Sequence, residues 1–165
     1  MFGNTRQVAQ SIARGLEGSG EVTLVNVNEV LALTSDIDLL VVGGPTHVHG
    51  MSHEASRLEA QKWSLDPAKS LTLEPDAPGT GVREWLDSLA WVPPRVAAFD
   101  TRADIAELLS GAASRKIEHE LVKLGGAALL PHESFLVSGN EPISSEELRR
   151  ANAWGATLAT AAARA

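Results

Sequence analysis

The chain has 165 residues, 44% hydrophobic and 21% charged, enough for one domain with a buried core. Its formal net charge of -7 speaks against nucleic acid and anionic membrane surfaces as partners and suits basic-surfaced proteins. Without cysteine there are no disulfides, thiolate metal sites or cysteine nucleophiles. No apolar run is long enough to cross a bilayer and no secretory leader is visible, so the cytoplasm is the expected location.

Thr5 to Leu16 reads as a helix, because Val8, Ile12 and Leu16 recur at helical spacing and Asn4 or Thr5 can cap its start. Val22 to Val27 alternates as a short strand does, and Asn28 to Leu33 leads onward. Ile37 to Val42 is the clearest buried strand, continuous and rich in branched residues, and is expected to end at Gly43-Gly44-Pro45. Residues 51 to 79 hold several charges and prolines, with a helical stretch around Glu54 to Lys62, and a connection of this length suits a functional or mobile role.

Gly81 to Leu89 reads as a helix with Val82, Trp85, Leu86 and Leu89 on one face. Arg95 to Phe99 is a third strand closing at Asp100-Thr101. A helix from Ser110 to Leu124 follows, stopped by Gly125-Gly126. Ala127 to Leu130 and Phe135 to Val137 form a fourth strand broken at Pro131. Ser144 and Glu147 make a capping box for the last helix, whose stripe is Leu148, Ala151, Gly155, Leu158 and Ala162. Trp85, Trp91 and Trp154 read as core or helix-packing residues. Strands alternating with helices over one uninterrupted domain, residues 1–165, imply an α/β fold: a parallel sheet covered by helices on both faces.

In such a sheet ligands bind beyond the carboxyl ends of the strands. Three segments are expected there. Gly3-Asn4-Thr5 opens a helix, where free N–H groups and the helix dipole favour a phosphate; ordinary capping is the plain alternative. Gly43 to Gly50 follows an apolar strand, and its glycines would let a ligand approach the backbone. Asp100-Thr101-Arg102 closes the next strand, where helix capping is an equal alternative.

Taken together, these segments resemble the flavodoxin family. Met1 to Leu16 looks like its phosphate loop and first helix, Leu39 to Gly50 like its second flavin-contacting loop, and Ala97 to Arg102 like the start of its third. The resemblance implies a doubly wound, flavodoxin-like sheet binding FMN. Gly3, Asn4 and Thr5 would wrap the phosphate, Pro45, Thr46, His47 and Val48 would lie along the ring, and Asp100, Thr101 and Arg102 would close its far side. It also implies electron transfer with a redox partner protein. The same fold leaves two alternatives: an FMN-dependent NAD(P)H:quinone-type reductase with residues 51–79 as a lid, and a flavin-free protein-interaction domain.

Two departures from the family pattern set further expectations. Met1 stands inside the phosphate loop, so the family's apolar first strand is missing from the chain. The expectation is an N-terminally truncated domain whose upstream codons encode an in-frame strand of Val, Ile and Ala. Without such a strand, the strand from Val22 would have to pair with that from Ile37. There is also no tyrosine, and the ring loops hold no aromatic side chain beyond His47 and His49, with Trp63 able to reach in from the long connection. His47, His49 and His53 have the density of a zinc or iron site. Their spacing is one residue too long for the metallo-β-lactamase signature and lacks its aspartate, so no metal is assigned.

Overall fold

The computed structural model describes residues 3–30, 32–47, 50–65, 79–138 and 141–164. In chain order its elements are α1 (Asn4–Leu16), β1 (Leu40–His47), β2 (Gly50–Met51), α2 (Glu54–Ser64), α3 (Val82–Ser88) and β3 (Arg95–Ala103). There follow α4 (Glu107–Ser110), α5 (Ala113–Lys123), β4 (Ala127–Ala128), β5 (Glu133–Val137) and α6 (Ser145–Ala162).

The centre of the sheet is β3, buried without interruption from Val96 to Thr101. It pairs in parallel with β1 from Leu40↔Val96 to Pro45↔Thr101. Its other edge takes β4 at Arg95 and Val96, then β5 from Phe99 to Ala103, again in parallel. The expected fourth strand is thus two short ones on a single neighbour, interrupted around Pro131, which has no N–H to give a ladder. β2 folds back antiparallel on the end of β1.

The sheet divides two cores. On one face Val8 and Ile12 of α1 and Ala151, Trp154 and Leu158 of α6 pack with Ala97, Phe99 and Phe135. Phe99, Phe135 and Trp154 meet edge-on, with centroids 6.2 to 6.5 Å apart. On the other face Trp85 and Leu86 of α3 and Ile117 and Leu121 of α5 pack with Val42, Val96 and Ala98. Among the described residues no helix is long and apolar enough to cross a membrane.

Several expectations change. Val22 to Val27 is not a strand: residues 21–26 belong to no ladder, and Val22, Leu24 and Val25 are exposed. Alternation makes a strand only where a neighbour can complete its hydrogen bonds, and this segment does not pair with β1. β1 starts at Leu40, not Ile37, and continues through Gly43-Gly44-Pro45 to His47 because β3 supplies partners as far as Pro45 and β2 at Thr46 and His47. α5 begins at Ala113; the residues before it form the separate α4, and Gly111 with a φ of 72° breaks the two apart. The Ser144 hydroxyl accepts the Glu147 N–H at 3.2 Å, but the Glu147 carboxylate turns to Leu136 N–H and Arg150 instead of closing a capping box. Trp91 is exposed, unlike the core residues Trp85 and Trp154.

Candidate functional site

The carboxyl edge of the sheet brings together the start of α1 and the ends of β1 and β3. Gly3 precedes α1 with a φ of 86°, in the left-handed region where a side chain is strained. No side chain caps this helix and its first turn holds no carboxylate. Its first internal hydrogen bond runs from Gln7 N–H to the Gly3 carbonyl at 3.1 Å, so the N–H groups ahead of it have no helical acceptor.

Thr5 ties this end to the sheet through a 2.7 Å bond between its hydroxyl and that of Thr101. In such a pair one hydroxyl donates to the other, leaving the acceptor's own proton for a third group. Thr101 also lies opposite Pro45 in the β1–β3 register. The first helical turn and the Pro45 end of β1 therefore share one neighbour. Asn4 ties the same helix start to the connection after β5: its amide accepts from Ile143 N–H at 3.0 Å and donates to the Glu141 carbonyl at 3.3 Å.

Thr46 donates to Asp100 Oδ2 at 2.8 Å and accepts the Ala113 N–H at 2.7 Å. Asp100 is fully buried, and its Oδ2 also takes the Ser114 N–H at 2.9 Å and hydroxyl at 3.1 Å. The start of α5 is thus capped by side chains from β1 and β3, since Ala112 at its N-cap has none to offer. Asp100 Oδ1 is buried without a partner. His47 ends β1; burial first, with positive charge at the N-terminus second, pushes its imidazole down to about 4, so it is neutral at pH 7. Arg102 bends back onto its own loop, donating to the Ile105 carbonyl at 2.8 Å, while its Nε is buried and unpaired. Val48 lies outside the described residues, as does His49, the middle member of the histidine trio.

Gly43 and Gly44 do not open the backbone to a ligand as expected. A Cβ on Gly43 would sit 2.1 Å from the Phe99 ring, and one on Gly44 would meet Val82 at 3.3 Å, so both make room for the cores. Ser114 and His132 gave no signal in the sequence, because no local motif links them to Asp100. Their contact at 3.2 Å exists only once β3, α5 and the turn before β5 are assembled. Arg150 is likewise drawn in by tertiary structure: it binds Glu133 at 2.6 Å and Glu147 at 2.7 Å and lies 4.5 Å from the centre of the Phe135 ring. Burial raises Glu147, but hydrogen bonds from Arg150 and Leu136 N–H outweigh it and hold the carboxyl below its ordinary value.

An uncapped helix start free of carboxylates, beside a hydroxyl pair with a proton to spare, fits a phosphate. The unpaired Asp100 Oδ1 fits an N–H or O–H donor nearby. Trp85, Phe99, Phe135 and Trp154 are committed to the cores and are not free to stack on a flat ligand.

This edge belongs to a flavodoxin-like fold. The chain is similar to a flavodoxin from the domain Archaea, with a TM-score of 0.58 and 16% identity over 99% of this chain and 93% of that one. A WrbA-like flavodoxin from Agrobacterium tumefaciens gives 0.53 and 15% over 99% and 92%. The flavodiiron core of Flv1 from Synechocystis gives 0.56 and 16%, covering 99% of this chain and 34% of that one. No protein-family model and no curated protein matches the sequence.

Proposed function

We propose that the chain binds FMN at the carboxyl edge of its sheet and carries electrons between redox partners in the cytoplasm. The observation that carries this reading is the Thr5–Thr101 bond, which holds the uncapped start of α1 beside the Pro45–His47 segment. Gly3 and Thr5 would hold the phosphate through helix N–H groups and a hydroxyl, while Asn4 fixes the adjoining 141–143 segment. Pro45, Thr46, His47 and Val48 would lie along the ring, with Asp100 holding Thr46 from behind and Thr101 and Arg102 on the far side. When bound, the flavin supplies one- or two-electron chemistry. The protein contributes position, exclusion of water, and a neutral imidazole at His47. An acidic chain of net charge -7 favours a partner with a basic surface.

Titration of FMN and of riboflavin, followed by flavin fluorescence quenching, tests the reading. Hydrogen bonds to a charged group contribute about 1.5–3 kcal/mol each, so losing two predicts FMN binding tighter by on the order of 100-fold or more. Equal affinity for the two refutes the phosphate role of the α1 start. Steady-state turnover with NAD(P)H and a quinone separates the reductase reading.

A further inference from the structure

Beside the β3 end, between β5, α4 and α6, lies a cleft of about 350 Å³ with His132 in its wall. The ring nitrogen Nδ1 of His132 is turned inward to the Ser114 hydroxyl at 3.2 Å, and that hydroxyl stands 3.1 Å from Asp100 Oδ2. Ser114 and Asp100 are both fully buried. Ser114 thus has one hydroxyl proton and two acceptor-type neighbours. If the proton went to His132, the Ser114 and Asp100 oxygens would face each other with lone pairs only, at side chains closed to bulk solvent. If it goes to Asp100, the stronger, charged acceptor, the contact with His132 is satisfied only when Nδ1 carries a proton and donates.

We propose that Asp100, acting through the Ser114 hydroxyl, holds neutral His132 as its Nδ1–H tautomer and so makes Nε2 a hydrogen-bond acceptor for a small uncharged O–H donor in the cleft. Nε2 has no partner among the described residues. The charged side chains around it decide the ligand's character. Arg102 and Arg150 stand against Glu107, Glu133 and Glu147, an excess of one carboxylate that disfavours anions. Arg150 is consumed by Glu133, Glu147 and the Ser134 carbonyl, and Glu107 by Arg115. Among the groups left with capacity are His132 Nε2, an acceptor, and the buried Arg102 Nε, a donor without a partner. A neutral molecule carrying a hydroxyl, which both donates and accepts, matches that pair. Asp100 and Ser114 are positioning residues here; His132 is the group that touches the ligand.

This inference does not require flavin, and its test is run without it. Long-range proton–nitrogen correlation spectra of the 15N-labelled protein at mildly alkaline pH report the tautomer of each imidazole, and His132→Gln identifies the signal among the five histidines. The expected result is a protonated Nδ1 and a bare Nε2 in the wild type. Ser114→Ala should shift the signal toward the Nε2–H form, and Ser114→Thr, which keeps the hydroxyl, should restore the wild-type pattern. Near-ultraviolet circular dichroism checks that each variant is folded. Hydroquinone is the probe ligand: its addition should move the Nε2 resonance of the wild type and leave that of Ser114→Ala in place. A wild type in the Nε2–H form, a Ser114→Ala spectrum that keeps Nδ1–H, or an Nε2 signal indifferent to hydroquinone each overturns the proposal. Weak FMN binding would leave all three readings untouched, so failure of the two proposals is distinguishable.

Discussion

Replacing Gly155 by alanine should destabilise the protein, although helix propensity alone predicts the reverse. Alanine in a helix interior is favoured over glycine by about 1 kcal/mol. Gly155, however, lies where α6 crosses α1, and a Cβ there would stand 2.3 Å from the Ile12 carbonyl oxygen, 3.1 Å from its carbon and 3.2 Å from Gly15 Cα. All three are backbone or glycine atoms, so no side chain can swing away. Contact distances return to normal only if the helices separate by about 1 Å. Overpacking of this kind costs typically about 1–3 kcal/mol, and an unyielding wall puts the cost in the upper part of that range. The net loss of about 1–2 kcal/mol lowers Tm by about 2–8 °C in a domain of this size. Because α1 also carries Gly3 to Thr5, its displacement strains the Thr5–Thr101 bond, and FMN affinity should fall with stability. Thermal unfolding and the FMN titration measure both effects. Exposed Ala153 on the same helix is the control: Ala153→Gly should lose only about 0.5–1 kcal/mol. A Gly155→Ala protein with an unchanged or higher Tm would refute the close helix crossing.

Two further outcomes follow from the same edge of the molecule. The burial of His47 lowers its imidazole from the ordinary 6.5 to about 4, so on acidification the unfolded chain takes up the proton first. Stability from this group is complete above pH 6.5 and is lost as pH falls toward 4, by up to about 3 kcal/mol. Urea unfolding across that interval should show a slope that His47→Gln removes; an unchanged slope rejects burial as the cause. The outer edge of β1 pairs with a strand only at Thr46 and His47 among the described residues, leaving the N–H and C=O groups of alternate residues from Leu40 onward without a ladder. A strand of five or six Val and Ile residues joined ahead of Met1 should fill that edge, each buried side chain contributing about 1.5–3 kcal/mol. Tm should rise by more than about 10 °C, and a Ser- and Asn-rich extension should give no such gain. Equal effects of the two extensions would show that the edge takes no strand.

Local chemistry alone was enough for the elements whose partners lie within their own few turns. α1, α5 and α6 announce themselves by apolar spacing, and Ser144 by its hydroxyl at a helix start. The apolar runs of β1 and β3 are legible because both faces of a central parallel strand are buried. Gly3-Asn4-Thr5 could be read as a helix opening, whereas Pro45 to His47 reads as a loop after the apolar strand and is in fact its end. Other features depend on what arrives from elsewhere in the chain. Val22 to Val27 alternates like a strand, yet has no ladder to join. Gly43 looks like an opening for a ligand until Phe99 covers it from the next strand. Asp100 reads as a strand-end residue, facing a ligand or capping a helix, until Thr46 and Ser114, from two other elements, close over its carboxylate and link it to His132. Periodicity encodes which side of an element is apolar; which polar groups must satisfy one another is settled only by assembly, because a buried donor or acceptor takes its partner from whatever the fold brings within reach.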